Sequence, residues 1–320
     1  MNAHTHHDVV IVGGGAAGLS AALILARARR SVLVIDAGAP GNAAAEGVHG
    51  CLGNEGVPPH ELLAAGRAEV RGHGGRIRQG TAVGAHEHRD SLRVVLADGT
   101  TVSGARLLLA TGLADELPSI PGLAAQWGRR VITCPHCHGW ELRDRAIGIL
   151  AGGLDDVEMA LVWRQWSANL TYFTHVTPGP DPQETRLLAA RDITVVRGEV
   201  AAVQADADHL TGVRMAEGTV LPVDALVVST RSILRSSILT GLGLTPRHTV
   251  VDGRVVAGYL ETDAKGRTSS PNVWAAGNIT APAAKFVEAA AAGVRAAIEI
   301  NRDLVHEDTR RVKNAAQDWL

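Results

Sequence analysis

Two short runs in this 320-residue chain carry residue types at spacings that do chemistry. One is Cys134-Pro135-His136-Cys137-His138-Gly139-Trp140-Glu141. Two residues between thiols bring the sulfurs to disulfide distance, and a helix N-terminus there favours a thiolate. The chain has 3 cysteines, the third being Cys51, whereas a closed zinc site wants four ligands. Redox work by Cys134 and Cys137 therefore outweighs zinc binding and inert thiols, and no metal is expected. Cys51, between Gly50 and Leu52, reads as a small packed residue. His138 carries an imidazole that titrates near neutral pH, which makes it the candidate acid–base group. The competing reading is a helix-start residue bonded to backbone.

The other run is Gly13-Gly14-Gly15-Ala16-Ala17-Gly18, followed by Asp36 about 20 residues after the turn. Gly13 permits a tight turn, Gly15 lets backbone approach a pyrophosphate, and Gly18 lets a helix pack close to a strand. Free N–H groups at that helix start would hold the phosphates, and Asp36 would accept from ribose hydroxyls. The motif predicts a dinucleotide site without saying which dinucleotide.

The elements that position these runs follow from apolar patterning. The residues from Asp8 to Val12 form a buried parallel strand, those from Leu19 to Arg30 a helix, and those from Ser31 to Ile35 a second strand. Leu107 to Ala110 is a strand ending at Thr111-Gly112. Asn272 to Ala275 repeats that form and ends at Gly277-Asn278, before an Ala-rich helix from Ala281 to Ile300. A second strand–glycine–helix unit runs from Ala146 through Gly152-Gly153 and a helix from Asp155 to Trp166, to a strand from Ala168 to Phe173. Trp163 and Trp166 read as core or dimer contacts. His4, His6 and His7 are expected in a frayed N-terminus.

Composition sets outer limits. Hydrophobic residues are 46%, charged residues 20%, and the net charge is −2, the balance of a globular chain. That charge gives no basic field for nucleic acid or an anionic membrane, and 3% aromatics offer few stacking platforms. No apolar run approaches the roughly 20 residues of a membrane span. The N-terminus shows no signal-peptide pattern, so the expected compartment is the cytoplasm.

The strand ending in Ala-Thr-Gly and the late strand ending in Ala-Ala-Gly-Asn, taken in order with the first motif, resemble the FAD domain of low-molecular-weight thioredoxin reductases over nearly the whole chain. That resemblance implies an α/β fold with two Rossmann-like dinucleotide-binding domains, the second inserted in the first. The FAD-binding part would be residues 1–117 and 245–320, and the insert 118–244 a degenerate NAD(P)-like domain carrying the cysteine pair. It also implies a homodimer. FAD contacts would come from Gly13, Gly15, Ala16, Ala17, Gly18, Asp36, Ala37, Asn42, His49, Val83, Thr111, Gly112, Gly277 and Asn278. In the family the second cysteine faces the flavin and the first meets substrate, here Cys137 and Cys134.

The departures from a reductase are informative. Histidine, His138, stands where reductases have aspartate after the second cysteine. Asp156 falls where a pyrophosphate needs a close helix, and Phe173 to Pro178 contains no arginine for a 2′-phosphate. The run from Cys134 to Glu141 looks like the branch of FAD-dependent dithiol oxidases that close disulfides in gliotoxin, holomycin and romidepsin-type compounds. The composition tilts toward the dithiolopyrrolone kind. The resemblance implies a small-molecule dithiol as substrate, molecular oxygen as acceptor and hydrogen peroxide as by-product. An NAD(P)H- or ferredoxin-driven disulfide reductase and a non-catalytic flavin sensor are the alternatives.

Overall fold

The computed structural model describes residues 6–317 apart from 89–90, 154, 208, 235–236 and 252. The chain forms two compact units: Met1–Gly41 with His60–Ala114 and Ser232–Leu320, and Asn42–Pro59 with Asp115–Arg231.

The first unit opens with β1 (His6–Val12), α1 (Ala16–Arg27), β2 (Val32–Asp36), α2 (Pro59–Gly72) and β3 (Arg76–Gln79). β2 lies parallel to β1 and β3 parallel to β2. An antiparallel meander of β4 (Ala82–His88), β5 (Ser91–Leu96) and β6 (Thr101–Leu109) then brings β6 back parallel beside β1. From Val9 to Val12 β1 is an unbroken apolar run because both its faces are covered. Val9 and Ile11 pack with Leu25 and Ile300 on one face. Val10 and Val12 pack with Leu107 and Leu239 on the other.

A short strand, β7 (Ala114–Glu116), leads into the second unit. That unit contains β8 (Val131–Ile132), α3 (Pro135–His138), β9 (Ile147–Leu150), α4 (Asp156–Trp163), β10 (Leu170–Phe173), α5 (Pro182–Ala190) and β11 (Thr194–Val196). An antiparallel trio follows, β12 (Val200–Asp206), β13 (His209–Met215) and β14 (Val220–Leu221), and then β15 (Ala225–Val227). The main sheet here is parallel, in the order β11-β10-β9-β15-β8. α5 begins with a capping box in which Asp181 accepts from the Gln183 and Glu184 N–H groups and Glu184 answers the Asp181 N–H.

The chain returns to the first unit through β16 (Arg231–Ile233), α6 (Ser237–Thr240), β17 (Arg247–Val251) and β18 (Arg254–Tyr259). It closes with β19 (Val273–Ala275) and α7 (Phe286–Gln317). The near half of β6 pairs with β5, and its far half with β19.

Several sequence expectations shift. β1 starts at His6, and His7 is buried and pairs in register with Gly104, so these histidines are not in a frayed end; His4 lies outside the described residues. Burial holds the His7 imidazole below its ordinary range. α7 starts later than expected and runs on to Gln317, because its far half is fastened by Asp303 and Glu307 to the buried Arg106. The second crossing falls before Ser232, not after Leu244. Ile238, Leu239, Leu242 and Leu244 bury against the first sheet, and a Cβ at Gly241 would sit 2.2 Å from the Ala85 carbonyl. The turn residues Gly241 to Pro246 mark a turn inside the first unit. Residues 42–59, expected with the first domain, group with the second unit.

Candidate active site

The first unit builds a cradle from the expected glycines. Gly13 has φ +115°, and a Cβ there would lie 2.1 Å from the Ala110 carbonyl oxygen, so the turn accepts only glycine. A Cβ at Gly18 would lie 1.9 Å from the Gly13 oxygen, which is how α1 comes so close to the strand end. At Gly15 the same construction meets nothing within 4 Å. Gly15 is also the N-cap of α1, with no side-chain cap and no acid in the first turn. The opening N–H groups of Ala16, Ala17 and Gly18 are thus left for an anion.

The other members converge on that turn. Gly277 follows β19 with φ +91°, and its Cβ would touch Ala17 at 3.0 Å. Gly112 follows Thr111 with φ +69°, and its Cβ would meet the Asn278 side-chain oxygen at 3.1 Å. Asp36 ends β2, and its carboxylate lies where a Cβ on Gly14 would fall, at 2.3 Å. One Asp36 oxygen accepts from the Gly38 N–H at 2.9 Å. The other accepts from Arg67 Nε at 3.1 Å and Nη2 at 2.8 Å. Gly14 and Arg67 escaped the sequence reading; an arginine one helix face away leaves no local signal. Ala37 is exposed beside Asp36, and Val83 stands exposed on the outermost strand β4. Asn42 and His49 belong to the second unit. The open Gly15 position, the uncapped helix start and the fixed Asp36 carboxylate fit the pyrophosphate and ribose of a dinucleotide such as FAD.

The second unit carries the thiols. Cys134 caps α3, with Pro135 at its first position, and the Cys134 and Cys137 sulfurs lie 2.7 Å apart. α3 is a single turn of four residues, so the expected dipole of a longer helix does not act here. What holds the turn is packing. A Cβ on Gly139 would meet the Trp166 indole at 2.7 Å, and His136 meets that ring edge-on with centroids 5.5 Å apart. Trp166 in turn rests on the fully buried Trp163, so the tryptophans are core buttresses of the redox turn.

His138 follows Cys137 with its Nδ1 buried and without a hydrogen-bond partner. Burial is the largest influence on its pKa and pushes it down, with the nearby Cys134 backbone pulling the other way. Beside this turn, in the same unit, His49 Nδ1 contacts Glu55 at 2.7 Å, and His49 Nε2 faces Glu141 at 3.7 Å. Glu55 also accepts from the Gly50 N–H at 2.8 Å. Its carboxyl is held below the ordinary range, first by the His49 hydrogen bond. Cys51 is buried in this loop.

The glycine turn of the second unit is already filled. Asp156, the first residue of α4, accepts from the Gly152 N–H at 2.7 Å and the Gly153 N–H at 2.9 Å through one oxygen. Ser229 Oγ donates to its other oxygen at 3.2 Å. Burial raises the Asp156 pKa. A cavity of about 230 Å³ adjoins it, lined by Thr133, Leu150 and Ser229 among others. Past β10, Thr174 and His175 bond within the unit: Thr174 Oγ1 accepts from Gly198 N–H and His175 Nδ1 from Val200 N–H. Arg197, which the sequence reading did not weigh, stands beside Gly179. Among the described residues no cluster of three or more histidine, cysteine or acidic side chains is placed to hold a metal. No helix among them is long and apolar enough to cross a membrane.

Two Rossmann-like units, one with an open dinucleotide cradle and one with a Cys-x-x-Cys pair, define an FAD-dependent disulfide oxidoreductase. The chain belongs to the pyridine nucleotide-disulphide oxidoreductase family, whose pattern matches residues 7–299. Its backbone superimposes on the crystal structure of HlmI with a TM-score of 0.89 and 39% identity, over 98% of this chain and 96% of that one. Thioredoxin reductase tcpT of Claviceps purpurea is 37% identical over 189 residues, 57% of this chain and 59% of tcpT, so the match spans little more than half of that relative. Thioredoxin reductase sirT of Leptosphaeria maculans is 29% identical over 92% of this chain and 93% of its own.

Proposed function

We propose that this protein is a dithiol oxidase. It takes two electrons and two protons from a small-molecule dithiol, closes an intramolecular disulfide in the product, and delivers them to oxygen as hydrogen peroxide. The observation that carries this reading is Asp156. Its carboxylate holds the N–H groups of Gly152 and Gly153 that a nicotinamide dinucleotide would need for its pyrophosphate. With that turn filled, electrons come from the thiol side.

FAD, when bound, supplies the two-electron acceptor that oxygen then regenerates. It would be held by Gly13, Gly15, Ala16, Ala17, Gly18, Asp36, Thr111, Gly112, Gly277 and Asn278, with Ala37, Asn42, His49 and Val83 as further contacts. The first unit, residues 1–41, 60–114 and 232–320, would serve as the FAD domain, and the second, residues 42–59 and 115–231, as the thiol domain. Cys134 receives the substrate sulfur, and Cys137 leaves as thiolate on the flavin side. His138 is the neutral base next to that pair. The substrate class is a natural-product dithiol of the dithiolopyrrolone kind, and the working form is a cytoplasmic homodimer.

The family's pyridine-nucleotide chemistry and the position of Arg197 favour a second reading, an NAD(P)H-driven disulfide reductase. An anaerobic titration separates the two. Dithiothreitol should bleach the flavin, NADPH should leave it oxidised, and air should restore the colour with one peroxide per dithiol. Fast, saturable bleaching by NADPH would overturn the oxidase reading.

A further inference from the structure

The redox turn is faced by a histidine–carboxylate pair that the disulfide chemistry above does not use. The loop carrying it is closed by its own backbone. Val48 N–H donates to Val57 at 2.9 Å, Gly56 N–H to Val48 at 2.9 Å, and Asn54 N–H to Cys51 at 2.8 Å. Glu55 then reaches back to His49 Nδ1 at 2.7 Å and to the Gly50 N–H at 2.8 Å. A carboxylate that accepts from Nδ1 fixes the proton there and leaves Nε2 as the basic nitrogen, the arrangement used in catalytic triads. Nε2 points to Glu141 at 3.7 Å, too long for a hydrogen bond to the neutral ring but within ion-pair range once the ring is charged. An imidazolium at His49 would therefore lie between two carboxylates. Glu141 lies three residues past His138, the end of α3, and Glu141, His49 and Glu46 all act electrostatically on His138.

We propose that His49, held by Glu55 and faced by Glu141, is a proton-relay residue that takes the substrate thiol's proton from the redox centre by way of His138. This rests on the dithiol oxidase reading. The first substrate thiol loses its proton, which passes through His138 to His49 Nε2. Its sulfur bonds to Cys134 as the Cys134–Cys137 bond breaks, and that electron pair leaves on Cys137 as thiolate. The second substrate sulfur then bonds to the first, and its proton goes to Cys134. The substrate is oxidised by two electrons, the enzyme disulfide is reduced, and the proton on His49 balances the Cys137 thiolate. His138, whose charged form burial disfavours, passes the proton on toward His49, which is flanked by Glu55 and Glu141.

The test follows anaerobic reduction of the flavin-loaded protein by dithiothreitol across pH. Iodoacetamide quenching and mass analysis of Cys134 and Cys137 give a readout independent of flavin colour. His49→Gln should slow both signals about 100-fold at pH 7. The deficit should shrink to a few-fold above pH 9, where the dithiol ionises unaided. Glu55→Gln keeps a hydrogen-bond acceptor for His49 and Gly50 but loses the charge, and should cost about tenfold with the same pH shape. A deficit equal at every pH, or wild-type rates in Glu55→Gln, overturns the relay, and Glu55→Gln decides alone if His49→Gln fails to fold. If dithiothreitol does not reduce even the wild-type protein, the oxidase reading fails instead.

Discussion

The two glycine turns of this molecule start from the same plan and end in opposite states. Each follows a buried parallel strand and opens a helix. At the first, Gly15 faces open space and α1 carries neither a side-chain cap nor an acid in its first turn. At the second, Asp156 opens α4 and folds its carboxylate onto the Gly152 and Gly153 N–H groups. A tethered carboxylate is present at high effective concentration and needs no association entropy to bind. One side chain thus converts an anion site into a self-satisfied turn while the sheet and helices around it keep their form. Fold reports where a dinucleotide can go; the occupant of the N–H groups reports whether it does.

The largest effect should come from blocking the open turn. Gly15→Glu has room for its side chain, so it should leave a folded but colourless protein; a yellow, stable variant would break the comparison. Gly13→Ala, by contrast, collides with the Ala110 carbonyl at a left-handed φ and should cost about 3 kcal/mol or more of stability, read by denaturant melts.

Next come the thiols of the filled unit. Cys134→Ser and Cys137→Ser should both drop dithiol-driven oxygen uptake to background. Only Cys134→Ser, which keeps the proposed flavin-side thiol Cys137, should show a long-wavelength charge-transfer band without added reductant. The band in Cys137→Ser instead would reverse the order of the pair.

Emptying the second turn sharpens the contrast more gently. Asp156→Ala frees two N–H groups and removes a like charge, so ADP-ribose binding measured calorimetrically should gain about tenfold or more, roughly 1.4 kcal/mol. No gain would mean that the carboxylate is not what excludes the nucleotide.

The smallest effect is on pH. The folded state holds His138 below its ordinary 6.5, so below that value the unfolded chain binds more protons. Stability from this group is present above the unfolded pKa and falls as pH drops through the window beneath it. His138→Asn should flatten that acid-side loss in thermal melts between pH 7 and 5. An unchanged slope would return the ring to a solvated position.

Much of this was legible in the chain. The apolar runs of β1 and β6, buried on both faces, and the glycines that only glycine can satisfy leave strong local marks. The cysteine spacing alone placed the thiols on one turn. Other features left fainter ones. Asp156 was visible as a misplaced acid, but its bond to the turn depends on backbone geometry that letters do not carry. The Glu55–His49 pair spans six residues of a loop held by Gly50, Gly53 and Gly56, all at positive φ, and no period betrays it. Arg67 and Arg106 find their carboxylates across 31 and about 200 residues, where sequence distance says nothing of contact.

The interrupted first unit also sets a schedule for biosynthesis. Its central strand β6 waits for β19 and α7, which are synthesised only after the second unit, and Arg106 waits for Asp303 and Glu307. The stretch from Asp115 to Arg231 has its sheet and its thiols in hand well before then. Domains fold as units while synthesis proceeds. The thiol-bearing unit should therefore be folded on a nascent chain that cannot yet retain its cofactor, and flavin loading waits for β19 and the turn that follows it.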